Sequence, residues 1–106
     1  MTDRTGQIAV IFVSTRTDSD AEGYAAAAAA MDRLAAKQPG YCGIDSARGA
    51  DGIGITVSWW ADDASALAWR AHPDHARIRD RGRAEWYAQY AVAVASVGRS
   101  YKWSKP

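Results

Sequence analysis

The apolar positions of this chain change period several times, and each change marks an element. Residues 8–14, IAVIFVS, are a short β-branched run with polar flanks, the pattern of a strand. Ile8, Val10 and Phe12 share one side, and Ala9, Ile11 and Val13 the other. Both sides are apolar, so cover on each is expected. Asp18, Ser19 and Asp20 then offer N-caps and negative charge for a helix. It runs to about Gln38 on a stripe of Tyr24, Ala27, Ala28, Met31, Leu34 and Ala35. The run Ala25–Ala30 favours helix and permits close approach to a sheet, and Pro39-Gly40 ends it.

Tyr41 to Arg48 reads as a weaker strand, followed by the turn composition Gly49-Ala50-Asp51-Gly52. Ile53, Ile55, Val57 and Trp59 next alternate with Gly54, Thr56, Ser58 and Trp60, the cleanest strand signal in the chain. Asp62 and Asp63 open a second helix through Arg70, and Pro73 begins a third. There His75, Ile78, Gly82 and Trp86 form one stripe. A glycine inside a helix costs about 1 kcal/mol relative to alanine, so Gly82 marks a tight contact or room left for something. Gln89 to Trp103 reads as one strand of about 15 residues, beyond the usual strand length.

The order is therefore β-α-β-β-α-β, with the second helix in two pieces. This is an α+β, ferredoxin-like split arrangement with an antiparallel sheet, in a single domain over residues 1–106. The helices cover one sheet face. The other is also apolar, and the chain has no third layer to cover it. A homodimer packed sheet to sheet is expected, with the long last strand reaching across.

Charge narrows the partners. Thirteen basic and 12 acidic residues leave a net +1, too little field to recruit nucleic acid or an anionic membrane. Arg70, Arg77, Arg79, Arg81 and Arg83 are interleaved with Asp74, Asp80 and Glu85, the pattern of a solvated helix face. The start MTDRTGQ lacks the apolar core of a signal peptide, no apolar run nears the roughly 20 residues of a membrane span, and Cys42 is the lone cysteine. A cytoplasmic protein is expected. No glycine-rich phosphate loop or Ser-His-Asp pattern is visible.

Candidate chemistry concentrates between Gly52 and Tyr90, which holds four of five tryptophans and both histidines. Trp60 and Trp69 are candidate walls of an aromatic pocket, against the alternative of core filling. His72 and His75 have a spacing open to two metal ligands, but no further ligand completes a site and no metal is expected. His72 is equally a helix cap. His75 falls on the inward stripe, either as a hydrogen-bonded core histidine or as a general base.

Four motifs carry a resemblance over nearly the whole chain. They are Gly40-Tyr41-Cys42-Gly43-Ile44-Asp45-Ser46-Ala47-Arg48, Gly54-Ile55-Thr56-Val57-Ser58-Trp59-Trp60, Ala68-Trp69-Arg70-Ala71-His72-Pro73-Asp74-His75 and Arg83-Ala84-Glu85-Trp86-Tyr87. With them the chain resembles the antibiotic biosynthesis monooxygenase-like family of dimeric α+β barrel proteins. That resemblance implies either cofactor-free oxidation of polycyclic phenols by molecular oxygen, or binding and degradation of haem. The oxygenases pair a helix tryptophan, matched by Trp69, with an asparagine one turn earlier, where this chain has Ser65. The haem-degrading members place an axial histidine about ten residues after that tryptophan, where this chain has Arg79.

The expectation is a cofactor-independent monooxygenase for an aromatic or quinone-type molecule. Its catalytic residues would be His75 and Trp69, with Trp60, His72, Trp86, Arg48 and Arg79 binding substrate. His75 would take or share a phenolic proton, and Arg48 or Arg79 would stabilise the anion. The alternatives are a non-catalytic dimeric binding domain and a haem protein.

Overall fold

The structure is a computed structural model that describes residues 3–106. Its elements are β1 (Ile8–Arg16), α1 (Ala21–Ala35), β2 (Tyr41–Arg48), β3 (Ile53–Trp60), α2 (Asp63–Ala71), α3 (Pro73–Arg81), a π-helical turn (Gly82–Trp86) and β4 (Tyr87–Ser96). Each boundary has a local cause. Asp20, in the left-handed region at φ 52°, accepts the Gly23 N–H and caps α1. The Gln38 side chain donates to the Leu34 carbonyl where α1 ends, and Gly40 turns the chain at φ +82°. His72, held extended by the proline after it, closes α2 and caps α3.

The strands form one antiparallel sheet in the order β2-β3-β1-β4. Two interleaved β-α-β units give this order, so the ferredoxin-like α+β arrangement read from the sequence is the observed one. The helices lie on the face of Ile8, Val10 and Trp60. Ala35, Trp60, Ala66 and Trp69 form the buried core there, with Met31, Leu34 and Tyr41 packed around it.

Two features of the strands depart from the hydrophobic pattern. On β3 the helices cover the side that looks polar, Gly54, Thr56, Ser58 and Trp60, with Gly54 and Trp60 buried. The apolar side faces away, leaving Ile53 and Ile55 about half exposed beside Val13. The expected 15-residue last strand is corrected to Tyr87–Ser96. Its partner sets the limit. β1 begins at Ile8, opposite Ser96, and beyond that only a short bridge joins Val97 to Gly6 and Gln7. A strand lasts only while a neighbour supplies hydrogen bonds, and past Val97 no described residue pairs with the backbone of 98–106. No helix among the described residues is long and apolar enough to cross a membrane.

Candidate functional site

Two aromatic clusters occupy the helix side of the sheet. The first gathers around Trp69 on α2. Its indole stacks on Trp60 at 6.2 Å, meets the His75 ring edge-on at 5.0 Å and the His72 ring at 5.6 Å, while Tyr41 packs edge-on to Trp60 at 5.8 Å. The α2–α3 kink creates this grouping, because it brings both histidines back over the tryptophan they follow. His72 Nδ1 accepts the Asp74 N–H at 3.1 Å, so its free nitrogen at that position is spent on capping. His75 Nδ1 and Arg79 Nε, one turn apart on α3, are both buried and have no hydrogen-bond partner. Buried polar atoms are nearly always paired, so these two stand out. Burial holds the His75 pKa below its ordinary value, and the nearby charges of Arg79, His72 and Arg70 add to the effect. The imidazole is therefore kept neutral near physiological pH.

Outside this cluster, an open cleft of about 260 Å³ reaches Trp69 between Gln38-Pro39 and α2, bordered also by Asp62, Ser65 and Ala68. Gly40 makes that approach feasible, since a Cβ there would lie 2.2 Å from Ser65 Oγ. Asp62 caps α2 through the Ser65 N–H, and that bond keeps its carboxyl below the usual range.

The second cluster centres on Tyr24 of α1. Trp86 and Tyr87 pack edge-on to its ring at 5.9 and 5.8 Å, and the Arg16 guanidinium lies over it at 3.9 Å. Arg48 donates to the buried Ser14 hydroxyl at 2.7 Å, to the Tyr24 hydroxyl at 3.3 Å, and to the carbonyls of Ser14 and Gly52. Gly54, opposite Arg48 in the ladder, leaves the room: a Cβ there would sit 2.5 Å from the guanidinium carbon. Gly82 has a similar part, with a Cβ placed 2.9 Å from the Tyr87 ring. Burial pushes the Tyr87 phenol far above its ordinary pKa, helped by its hydroxyl contact with Tyr24.

Of the residues singled out in the sequence, Trp60, Trp69, His72 and His75 come together, with Arg79 one turn beyond. Trp86 and Arg48 go to the second cluster and make no ring or hydrogen-bond contact with the first. Tyr41, Tyr24, Ser14 and Tyr87 were not picked out as site residues. Tyr24 lay on the α1 stripe and Gly54 faced Arg48 across the hairpin, which were the only signals available. Among the described residues, no three His, Cys, Asp or Glu side chains converge as a metal site would need. Nor do the residues fit haem ligation at the axial position, because the Arg79 guanidinium has no lone pair to give to iron.

An antiparallel α+β domain with an aromatic cluster between helices and sheet is thus the class the geometry defines. The model of the antibiotic biosynthesis monooxygenase family matches residues 7–81, and the chain belongs to that family. It is 47% identical over 91 residues to YqjZ of Bacillus subtilis (strain 168), described as an uncharacterized protein, covering 86% of this chain and 79% of that one. Among solved structures it is similar to SnoaB, a cofactor-independent oxygenase from Streptomyces nogalater, with TM-score 0.75 and 17% identity over 88% of this chain and 94% of that one. It is also similar to a conserved protein from Methanosarcina mazei Go1, with TM-score 0.79 and 9% identity over 89% and 95%. At such identities the structural likeness concerns the fold alone.

Proposed function

We propose that the protein is a cofactor-independent monooxygenase acting on an aromatic, quinone-type small molecule. One observation carries the reading: His75 Nδ1 is buried and unpartnered, on a ring that packs in T-shaped contact with Trp69, which stacks on Trp60. A flat substrate lying along these rings would find there the hydrogen-bonding group it needs. His75 shares the substrate's acidic proton, and Arg79 holds the oxygen anion that results. An electron-rich anion can itself pass an electron to molecular oxygen. Recombination and loss of water then convert a ring CH2 to a carbonyl, with one O2 consumed and one water released. The nearby indoles exclude water while this happens. The likeness to an oxygenase described as cofactor-independent supports the reading.

The working unit is a homodimer. Val13, Ile53 and Ile55 leave an apolar face on the side of the sheet away from the helices, the kind of surface a second copy covers. Residues 97–106, with Tyr101 and Trp103 exposed, extend from the same sheet and would reach the partner. With one cysteine and no long apolar helix among the described residues, a cytoplasmic setting fits.

Oxygen uptake with a panel of hydroquinones and anthrones tests the activity. His75→Ala and Trp69→Phe are each expected to lower turnover by about 10²-fold or more, and unchanged turnover in both would sink the reading. Binding without oxygen uptake would instead make the protein a non-catalytic small-molecule-binding domain, the alternative that Ser65 in place of the family's asparagine favours. Haemin is expected to keep its free spectrum on mixing. A new Soret band, lost in His75→Ala, would turn the reading toward haem.

A further inference from the structure

The aromatic cluster proposed as the substrate site is closed. Trp60 is fully buried and Trp69 is 9% exposed, and His75 Nδ1 and Arg79 Nε are shielded from solvent. The cleft that reaches Trp69 runs between α2 and the Gln38-Pro39 turn, and neither His75 nor Arg79 borders it. A ligand therefore meets those two groups only after an element moves. Both sit on α3, so the seating of that helix decides how the site is reached.

α2 and α3 make a direct comparison, because they are consecutive and each is nine residues long. α2 sinks Ala66 and Trp69 into the core and packs on β1 and β3. α3 has no fully buried residue, and its main packing partners are α2 and the π-helical turn, the elements at its own two ends. Its ion pairs are as local. Arg77–Asp74 lies within the helix, and among the described residues only Arg81 ties α3 to an element distant in sequence, through Asp20. Both ends are also places where the helical ladder changes. His72, non-helical at ψ 132°, is the single residue between α2 and α3, and Pro73 has no N–H with which to continue α2. At the far end the coil widens into the π-helical turn, where Gly82 is buried close against the Tyr87 ring.

We propose that α3 is a lid over the aromatic site, rolling outward about His72 and Gly82 and closing again over a flat aromatic ligand held at Trp69. This rests on the substrate-site reading above and adds how that site is reached. Opening gives up the edge-on contact of His75 with Trp69 and the packing of the half-buried Ile78. It also returns His75 Nδ1 and Arg79 Nε to water, and both lack a partner while the lid is shut. An unanswered buried polar atom carries its full desolvation cost, so their hydration offsets part of the lost contact. Few buried apolar contacts place a segment at the low-stability end of a fold. A ligand oxygen of either charge state that hydrogen-bonds to these groups removes the cost of closure and holds the lid down.

Hydrogen–deuterium exchange of the full chain, followed residue by residue by NMR, tests the inference. Amides 76–81 of α3 are expected to exchange at least about tenfold faster than amides 67–71 of α2, a helix of the same length. Arg81→Gln, which frees the end of α3 from Asp20, should speed α3 by a further factor of about two to five and leave α2 within about twofold. The amide spectrum of the variant shows that it is folded. Saturating 1-naphthol should slow α3 by at least about fivefold and leave β1 unchanged. Equal protection of α2 and α3 in the free chain would overturn the lid and leave the aromatic pocket standing. Exchange at α3 that bound 1-naphthol does not slow would overturn it too, because the helix would then fray without covering the ligand. If neither 1-naphthol nor the hydroquinones and anthrones bind, the substrate-site reading falls and the lid falls with it.

Discussion

The two aromatic clusters on the helix side of the sheet are built from similar parts and differ in how their polar atoms are satisfied. Around Tyr24, Arg48 spends its donors on Ser14, Tyr24 and two backbone carbonyls, and Trp86 Nε1 donates to Asp20 at 3.3 Å. Around Trp69, His75 Nδ1 and Arg79 Nε are buried and unanswered. A completed network is a structural element, because removing any member strands the others. An incomplete one costs the folded chain stability. Rings alone do not distinguish a core from a site; the state of their polar neighbours does.

That contrast can be broken most forcefully at Arg48. Arg48→Ala leaves Ser14 Oγ and Tyr24 without a donor and exposes two carbonyls, and should lower stability by about 2–4 kcal/mol. In a domain of this size that corresponds to a fall in Tm of roughly 8 °C or more, read by thermal denaturation. A smaller shift would mean the Tyr24 network is dispensable. Next comes Gly82→Ala, whose Cβ would meet the Tyr87 ring. It should cost about 1–3 kcal/mol from overpacking, although alanine is the better helix former.

At the other cluster the expected effects are smaller and depend on pH. The unfolded chain takes up a proton at His75 near pH 6.5, whereas the folded imidazole resists it because its pKa is lowered by burial and by neighbouring positive charge. Stability should therefore fall as pH drops below about 6.5, until the folded imidazole itself protonates. His75→Phe should flatten that limb in denaturant titrations between pH 7 and 5 and leave stability at pH 7.5 the same or higher. A limb that persists in the variant would assign the dependence to other groups. The smallest effect belongs to the exposed Arg77–Asp74 pair, where Arg77→Ala should change stability by no more than about 0.5 kcal/mol.

The strands and helices were readable from the chain because their causes are local. Alternation marked β2 and β3 to the residue, Asp20 and Asp62 announced two helix starts, and Pro73 announced a third. The end of β4 was not readable, because it depends on where β1 begins on the far side of the fold. The candidate site was legible in part, as a grouping of side chains. Trp60, Trp69 and His75 were named from the pattern, and the α2–α3 kink that joins them is written in His72-Pro73.

What the sequence could not decide is which cluster each arginine and Trp86 would enter. Arg48 and Trp86 were assigned with Trp69 because the chain places them near aromatic residues in the order of the motifs. The sheet order β2-β3-β1-β4 sends them to Tyr24 instead. Nor could periodicity tell which side of β3 the helices would take. Its polar side lies under them, where Gly54 admits the Arg48 guanidinium and Trp60 fills the core, while its isoleucines face outward. Local sequence fixes the period of an element, because period depends on near neighbours along the chain. The face that becomes interior, and the polar atoms left unpaired there, depend on residues distant in sequence, and only the folded chain brings those together.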